Sequence, residues 1–118
     1  HERYKFDGDS SVNSECLHCY HQSLRPDIVW FGEMPYHMEE IQDALSSCDL
    51  FLSIGTSGVV YPAAGFCQIA KQFGALCVEF NLEKSCVASN FDFGRYGKAS
   101  VTLPQAVDEI LQTGTLSN

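Results

Sequence analysis

The chain has 118 residues, 45% of them hydrophobic and 19% charged, with a formal net charge of −8. That length and apolar content suit one modest folded core and exclude a disordered chain. No apolar run reaches the ~18 to 20 residues of a membrane span. The acidic balance argues against nucleic acid as a partner, since phosphate backbones call for a basic face.

His1-Glu2-Arg3-Tyr4 carries no initiator Met, no apolar signal core and no Arg/Ser-rich transit pattern. The expectation is a sequence that begins inside a longer gene product. Residues 1–26 are polar and loop-like, with a turn signal at Asp7-Gly8-Asp9-Ser10 and punctuation at Arg25-Pro26. Between them lies Cys16-Leu17-His18-Cys19, whose spacing is that of half a tetrahedral zinc site. Two thiolates leave two ligands to find. His18 and His21 are near, but they read better as exposed loop residues. A redox Cys-x-x-Cys normally follows a strand and opens a helix, which this one does not.

After Pro26 the pattern becomes regular. Ile28-Val29-Trp30-Phe31 is a short, wholly apolar, β-prone run that predicts a first strand. Met38, Ile41, Ala44, Leu45 and Cys48 recur at helical spacing. Leu50-Phe51-Leu52-Ser53-Ile54 predicts a second strand. Pro62 then suits the first position of a helix that continues through Phe66, Ile69, Ala70 and Phe73 to a stop at Gly74. Leu76-Cys77-Val78-Glu79-Phe80 predicts a third strand. Residues 82–100 show no clear period, and Leu103-Pro104 with Ala106, Val107, Ile110 and Leu111 predicts a terminal amphipathic helix. Cys48, Cys67 and Cys77 fall inside apolar periodic segments, where a free thiol is a small hydrophobe. Six cysteines are therefore read as reduced, in a cytoplasmic protein, rather than as a disulfide framework.

Strands alternating with helices at this spacing predict an α/β fold of consecutive βαβ units, hence a parallel sheet. The predicted strands end at Gly32, Gly55 and Asn81, and open α/β sheets bind ligands beyond those carboxyl ends. Gly55-Thr56-Ser57-Gly58 leads from a strand to a helix and offers N–H groups, hydroxyls and a helix dipole to a phosphate or ribose. It matches neither the dinucleotide fingerprint nor a P-loop, and a plain tight turn is the alternative reading. Asn81-Leu82-Glu83 is either a ribose grip or a solvated turn. No Ser-His-Asp order is persuasive, and none of His1, His18, His21 or His37 takes a strand-end position suited to a general base.

Leu24-Arg25-Pro26-Asp27-Ile28-Val29-Trp30-Phe31-Gly32-Glu33 and Gly55-Thr56-Ser57-Gly58-Val59-Val60-Tyr61-Pro62-Ala63-Ala64 together resemble the sirtuins, NAD-dependent protein-lysine deacylases. Glu33-Met34-Pro35 and Tyr96-Gly97-Lys98-Ala99-Ser100 look most like the bacterial class III group, related to mitochondrial desuccinylases. The resemblance runs over about residues 8–113. It implies half of a Rossmann-like, doubly wound parallel sheet over residues 27–118: three parallel strands with covering helices. Residues 1–26 would be the remnant of a small zinc-binding module.

The resemblance also assigns residues. Gly55, Thr56 and Ser57 match the NAD-binding turn, Asn81, Leu82 and Glu83 the adenosine-ribose segment, and Ala99 the position beside the adenine. Val29, Phe31, Gly32 and Glu33, facing Val59, Val60 and Tyr61, match the two edges between which an acylated-lysine peptide is laid as an extra strand. For Phe31 the alternative is plain core packing. Cys16 and Cys19 match the second Cys pair of a structural zinc. The family's Gly-Ala-Gly-x-Ser turn, Gln-Asn-x-Asp motif, catalytic His-Gly and first Cys pair do not occur in this sequence. His1 is followed by Glu2, so no catalytic role is carried to it. The expectation is a C-terminal portion of a deacylase, inactive alone, partnered by an N-terminal half or self-associating through an exposed sheet edge. The alternative is an inactive module that binds NAD or ADP-ribose, or assembles with an N-terminal partner chain.

Overall fold

The computed structural model describes residues 3–118, so His1, left above without a catalytic role, lies outside the described residues. The chain divides into two units, His1–Tyr36 and His37–Asn118. In the first, residues 27–36 stand with the Cys-x-x-Cys segment. Its backbone is largely irregular and held by side chains: Arg3 pairs with Asp27 at 3.3 Å and stacks over the Tyr36 ring, whose hydroxyl donates to Asp27 at 3.1 Å.

The second unit is built around a three-stranded parallel sheet. Helix α1 (Met38–Ser47) leads into β1 (Leu50–Ile54). A 3-10 turn at Ala63–Gly65 and helix α2 (Phe66–Gln72) lead to β2 (Leu76–Asn81). A second 3-10 turn at Ala88–Asn90 precedes β3 (Phe93–Tyr96), and α3 (Ala99–Thr113) closes the order. The strands lie in the order β1-β2-β3, with Leu52 opposite Val78, and Val78 opposite Phe93.

Alternation along β2 sends side chains to two separate cores. Cys77 faces one side, where it joins Leu45 of α1, Cys67 and Ala70 of α2, Ala75 and Phe91. Val78 and Phe80 face the other, against Ala106 of α3 and Leu116 of the tail. Helices thus cover both faces of a parallel sheet, as predicted. All six cysteines are free thiols. Burial pushes the Cys67 thiol up to about 12 and raises Cys77 as well, so both behave as apolar filling.

Two predicted elements are corrected. Residues 28–31 form no strand; the third strand is Phe93–Tyr96, inside the stretch that showed no period. An extended run needs a ladder partner for its N–H and C=O groups. Here residues 28–33 turn back instead. The Glu33 carboxylate accepts the Trp30 N–H at 3.1 Å and a two-pronged contact from Arg25, which also donates to the Ile28 carbonyl. The second correction concerns Pro62. It precedes the 3-10 turn, and the α-helix starts only at Phe66, so the Gly55–Gly58 turn does not open directly onto a helix dipole.

Candidate functional site

In a parallel sheet the strands end together, and here β1, β2 and β3 bring three loops to one rim. Asn81, the last residue of β2, joins them. Its carbonyl accepts the Gly97 N–H at 3.0 Å, tying it to the loop after β3. Its side-chain amide donates to the Thr56 carbonyl at 3.1 Å, tying it to the loop after β1. The Gly55 N–H extends the ladder by one bond to the Phe80 carbonyl at 2.8 Å. Gly55, Thr56, Asn81 and Gly97 are therefore tied together at one edge, though far apart in sequence, and Leu82-Glu83 and Ala99, first residue of α3, follow within two residues of the tied positions in the chain.

The loop after β1 has the geometry of a cradle. Gly55 sits at φ +64°, a conformation that favours glycine, and a Cβ there would project into open space. Gly58 turns left-handed again at φ +69°, with its N–H on the Thr56 hydroxyl at 3.2 Å. Among the described residues the N–H groups of Thr56 and Ser57 find no acceptor, and both residues are exposed. Such a strand-end turn offers donors to an anion or a ribose hydroxyl. Leu82 and Glu83 are exposed beside it. Below lies a cavity of about 60 Å³ lined by Phe51, Ser53, Thr56, Cys67, Val87 and Phe91. Ligand pockets typically measure ~300 to 1,000 Å³, so this cavity by itself is too small to enclose a dinucleotide.

One buried carboxylate organises this rim, at a position that no sequence motif marks. Glu79 is 1% exposed in the middle of β2. It accepts the Ser85 hydroxyl at 2.6 Å, the Tyr96 hydroxyl at 2.6 Å and the Asn81 amide at 3.2 Å. Burial drives its carboxyl up, but the hydrogen bonds from Ser85, Tyr96 and Asn81 outweigh burial and hold it below the ordinary range. The same contact pushes the Tyr96 hydroxyl up to about 12. The available signal was a single charge in an apolar strand, two residues before an Asn on the same face.

The residues matched to a peptide-binding edge fall in both units. Val29, Phe31, Gly32 and Glu33 belong to the first, and Phe31 is 94% exposed rather than packed in a core. Glu33 is occupied by Arg25, which holds its carboxyl below the usual range, and then by the Trp30 N–H. Val59, Val60 and Tyr61 belong to the second unit and are half or more exposed, directly after the Gly55–Gly58 turn.

Cys16 and Cys19 share a tight turn. The Tyr20 N–H donates to the Cys16 carbonyl at 2.8 Å, and the Cys16 N–H to the His21 carbonyl at 2.9 Å. The Cys19 thiol is lowered first by the His21 backbone N–H, then by the Ser23 hydroxyl and Cys16. This turn stabilises a thiolate, as a zinc ligand requires. Two thiols fit half a tetrahedral set; among the described residues no third His, Cys, Asp or Glu completes a cluster.

Known proteins resemble the chain along most of its length. The model of the Sir2 family matches residues 1–62. An NAD-dependent protein deacylase of Pasteurella multocida (strain Pm70) is 55% identical over 109 residues, 92% of this chain and 47% of the relative. The chain thus spans about half the length of the curated relatives it matches. A solved Sir2 homolog–NAD complex superposes with a TM-score of 0.75 at 32% identity, covering 84% of this chain and 39% of that one. Sir2Af2 bound to a myristoylated histone peptide gives a TM-score of 0.72 at 34% identity, covering 86% and 45%.

Proposed function

Because this chain belongs to the Sir2 family, we propose that it forms the dinucleotide cradle and one peptide-binding edge of an NAD-dependent protein-lysine deacylase. The observation that carries this reading is the Asn81 junction, which gathers the loops after β1, β2 and β3 into a single rim. A myristoylated histone peptide on one neighbour and NAD on another support the same pair of ligands here. We assign residues 27–118 to half of the nucleotide-binding domain and residues 1–26 to the remnant of a zinc module. Cys16 and Cys19 would supply two thiolates to a structural zinc.

In this reading the Thr56 and Ser57 N–H groups face the diphosphate, and Gly55 lets it approach the backbone. Asn81 and Glu83 accept from ribose hydroxyls, and Ala99 leaves room for the adenine. Bound NAD would supply a ribose carbon as electrophile for the acyl oxygen. Val59 to Tyr61 would hold the acyl-lysine strand by main-chain hydrogen bonds, and the apolar side chains nearby would keep water from the acyl stem. No residue of this chain is assigned as the general base, which an N-terminal half is expected to provide. The bacterial class III resemblance points to acetyl- and succinyl-lysine as substrates in the cytoplasm.

The test is an assay of the intact protein with NAD and acetyl- or succinyl-lysine peptides. Peptide mass should fall by one acyl group as nicotinamide appears. Absence of NAD consumption would remove the deacylase reading. The 118-residue chain alone is expected to show no turnover, while calorimetry detects its binding of ADP-ribose. Turnover by the chain alone would place the base within it.

A further inference from the structure

Glu79 is buried beside the rim without reaching it, and hydrogen-bond chemistry gives it a definite task. The Asn81 side chain has one acceptor end and one donor end. The Glu79 carboxylate and the Thr56 carbonyl are both acceptors, and both contact the Asn81 nitrogen, at 3.2 Å and 3.1 Å. Both N–H bonds of that nitrogen are thereby spent, and the amide can sit only one way round. Its oxygen is left as the acceptor turned from Glu79 and Thr56.

The rest of the network keeps Glu79 ionised and fixed for this task. Oε2 takes the Ser85 hydroxyl together with Asn81, and Oε1 takes the Tyr96 hydroxyl and the Ser85 N–H. Gly94 serves the same arrangement. It lies opposite Glu79 in the ladder, and a Cβ on it would overlap the Tyr96 hydroxyl oxygen. Only a residue without a side chain lets that hydroxyl cross β3 to the carboxylate.

We propose that Glu79 is a positioning residue for the dinucleotide. By fixing the Asn81 amide, with Ser85, Tyr96 and Gly94 as its supports, it presents the Asn81 oxygen to a ribose hydroxyl. The proposal rests on the rim being the dinucleotide cradle, and its test separates the two ideas.

The first measurement needs no ligand. In the intact protein, proton exchange of the Asn81 side-chain NH₂ is followed by NMR in the wild type, Glu79→Gln and Glu79→Leu. Exchange should be slow in the wild type and in Glu79→Gln, whose oxygen still accepts from Asn81, and at least tenfold faster in Glu79→Leu. The second measurement is steady-state kinetics. KM for NAD should rise about tenfold in Glu79→Leu and stay within threefold of wild type in Glu79→Gln, with KM for the acyl peptide unchanged in both. Ser85→Ala and Tyr96→Phe each remove one support, and each should raise KM for NAD two- to fivefold should Glu79→Leu fail to fold. Equal Asn81 exchange in all proteins would overturn the positioning role. Tight Asn81 protection that depends on Glu79, with KM for NAD unmoved, would overturn the cradle instead. A fall in melting temperature with both KM values rising together would mean a merely structural carboxylate.

Discussion

A Cβ built on Gly58 would stand 2.8 Å from Cγ2 of Val87, so the loop after β1 is moulded against the loop after β2. Gly58 also holds φ +69°, which side-chain-bearing residues adopt at a cost. Gly58→Ala therefore meets both strain and a clash, and should destabilise the chain by about 1 to 3 kcal/mol. Urea titration reads this as a lower midpoint at unchanged slope. A midpoint within error of wild type would show that the loop relaxes freely.

Phe80 is 1% exposed and packs among Val78, Ala106 and Leu116. Truncation to Ala opens a cavity in the α3-side core, at about 3 to 5 kcal/mol. Against a typical stability of ~5 to 15 kcal/mol that is a large fraction, so Phe80→Ala should melt well below the wild type. A thermal transition in circular dichroism shifted to a clearly lower midpoint is the expected result, and an unshifted midpoint would show that the α3-side core closes over the gap.

Acidification should release the C-terminal tail early. Glu109 pairs with Arg95 and accepts the Ser117 N–H at 2.8 Å, while Arg95 donates to the Ser117 carbonyl at 2.7 Å. The Arg95 guanidinium, and then the Ser117 N–H, hold the Glu109 carboxyl below its usual range. A depressed carboxyl stabilises above the unfolded-chain value of ~4.3 and loses that contribution as pH falls through the folded value. Protection of the Ser117 amide, taken relative to the unstructured-chain exchange rate, should thus fall as pH drops through the lowered Glu109 value, and Glu109→Gln should show reduced protection already at pH 7.

Zinc retention tests the Cys-x-x-Cys turn. With its thiol held down by the His21 N–H, Cys19 should be the first cysteine alkylated in metal-stripped intact protein, and zinc should protect it. Cys19→Ser should then abolish retention of the metal on desalting. Full zinc occupancy in that variant would disprove the ligand assignment.

Much of the second unit was legible in its periods. Met38, Ile41 and Leu45 marked α1, and near-continuous apolar runs, broken at Ser53 and Glu79, marked β1 and β2, because a sheet covered on both faces shows no regular polar alternation. β3 escaped because it is four residues long, with Gly94 and Arg95 inside it. Residues 28–31 misled for the opposite reason: their composition is that of a strand, but strand formation depends on a neighbour as well as on propensity. Of the rim, the turn glycines and Asn81 stood out as strand-end punctuation. The role of Glu79 could not be read, since its partners Ser85 and Tyr96 meet it only through the folded register.

Because every strand runs the same way, the sheet has a second end that takes no part in the rim. Gly74 lies there, in the turn before β2, at φ +91° with open space where a side chain would begin. A dye or affinity handle inserted at that turn would sit a full strand length from the Asn81 junction. Fluorescence or surface-capture measurements on this protein should therefore be engineered from an exposed neighbour such as Gln72, keeping Gly74 for its left-handed turn and leaving the opposite end of the sheet as nature built it.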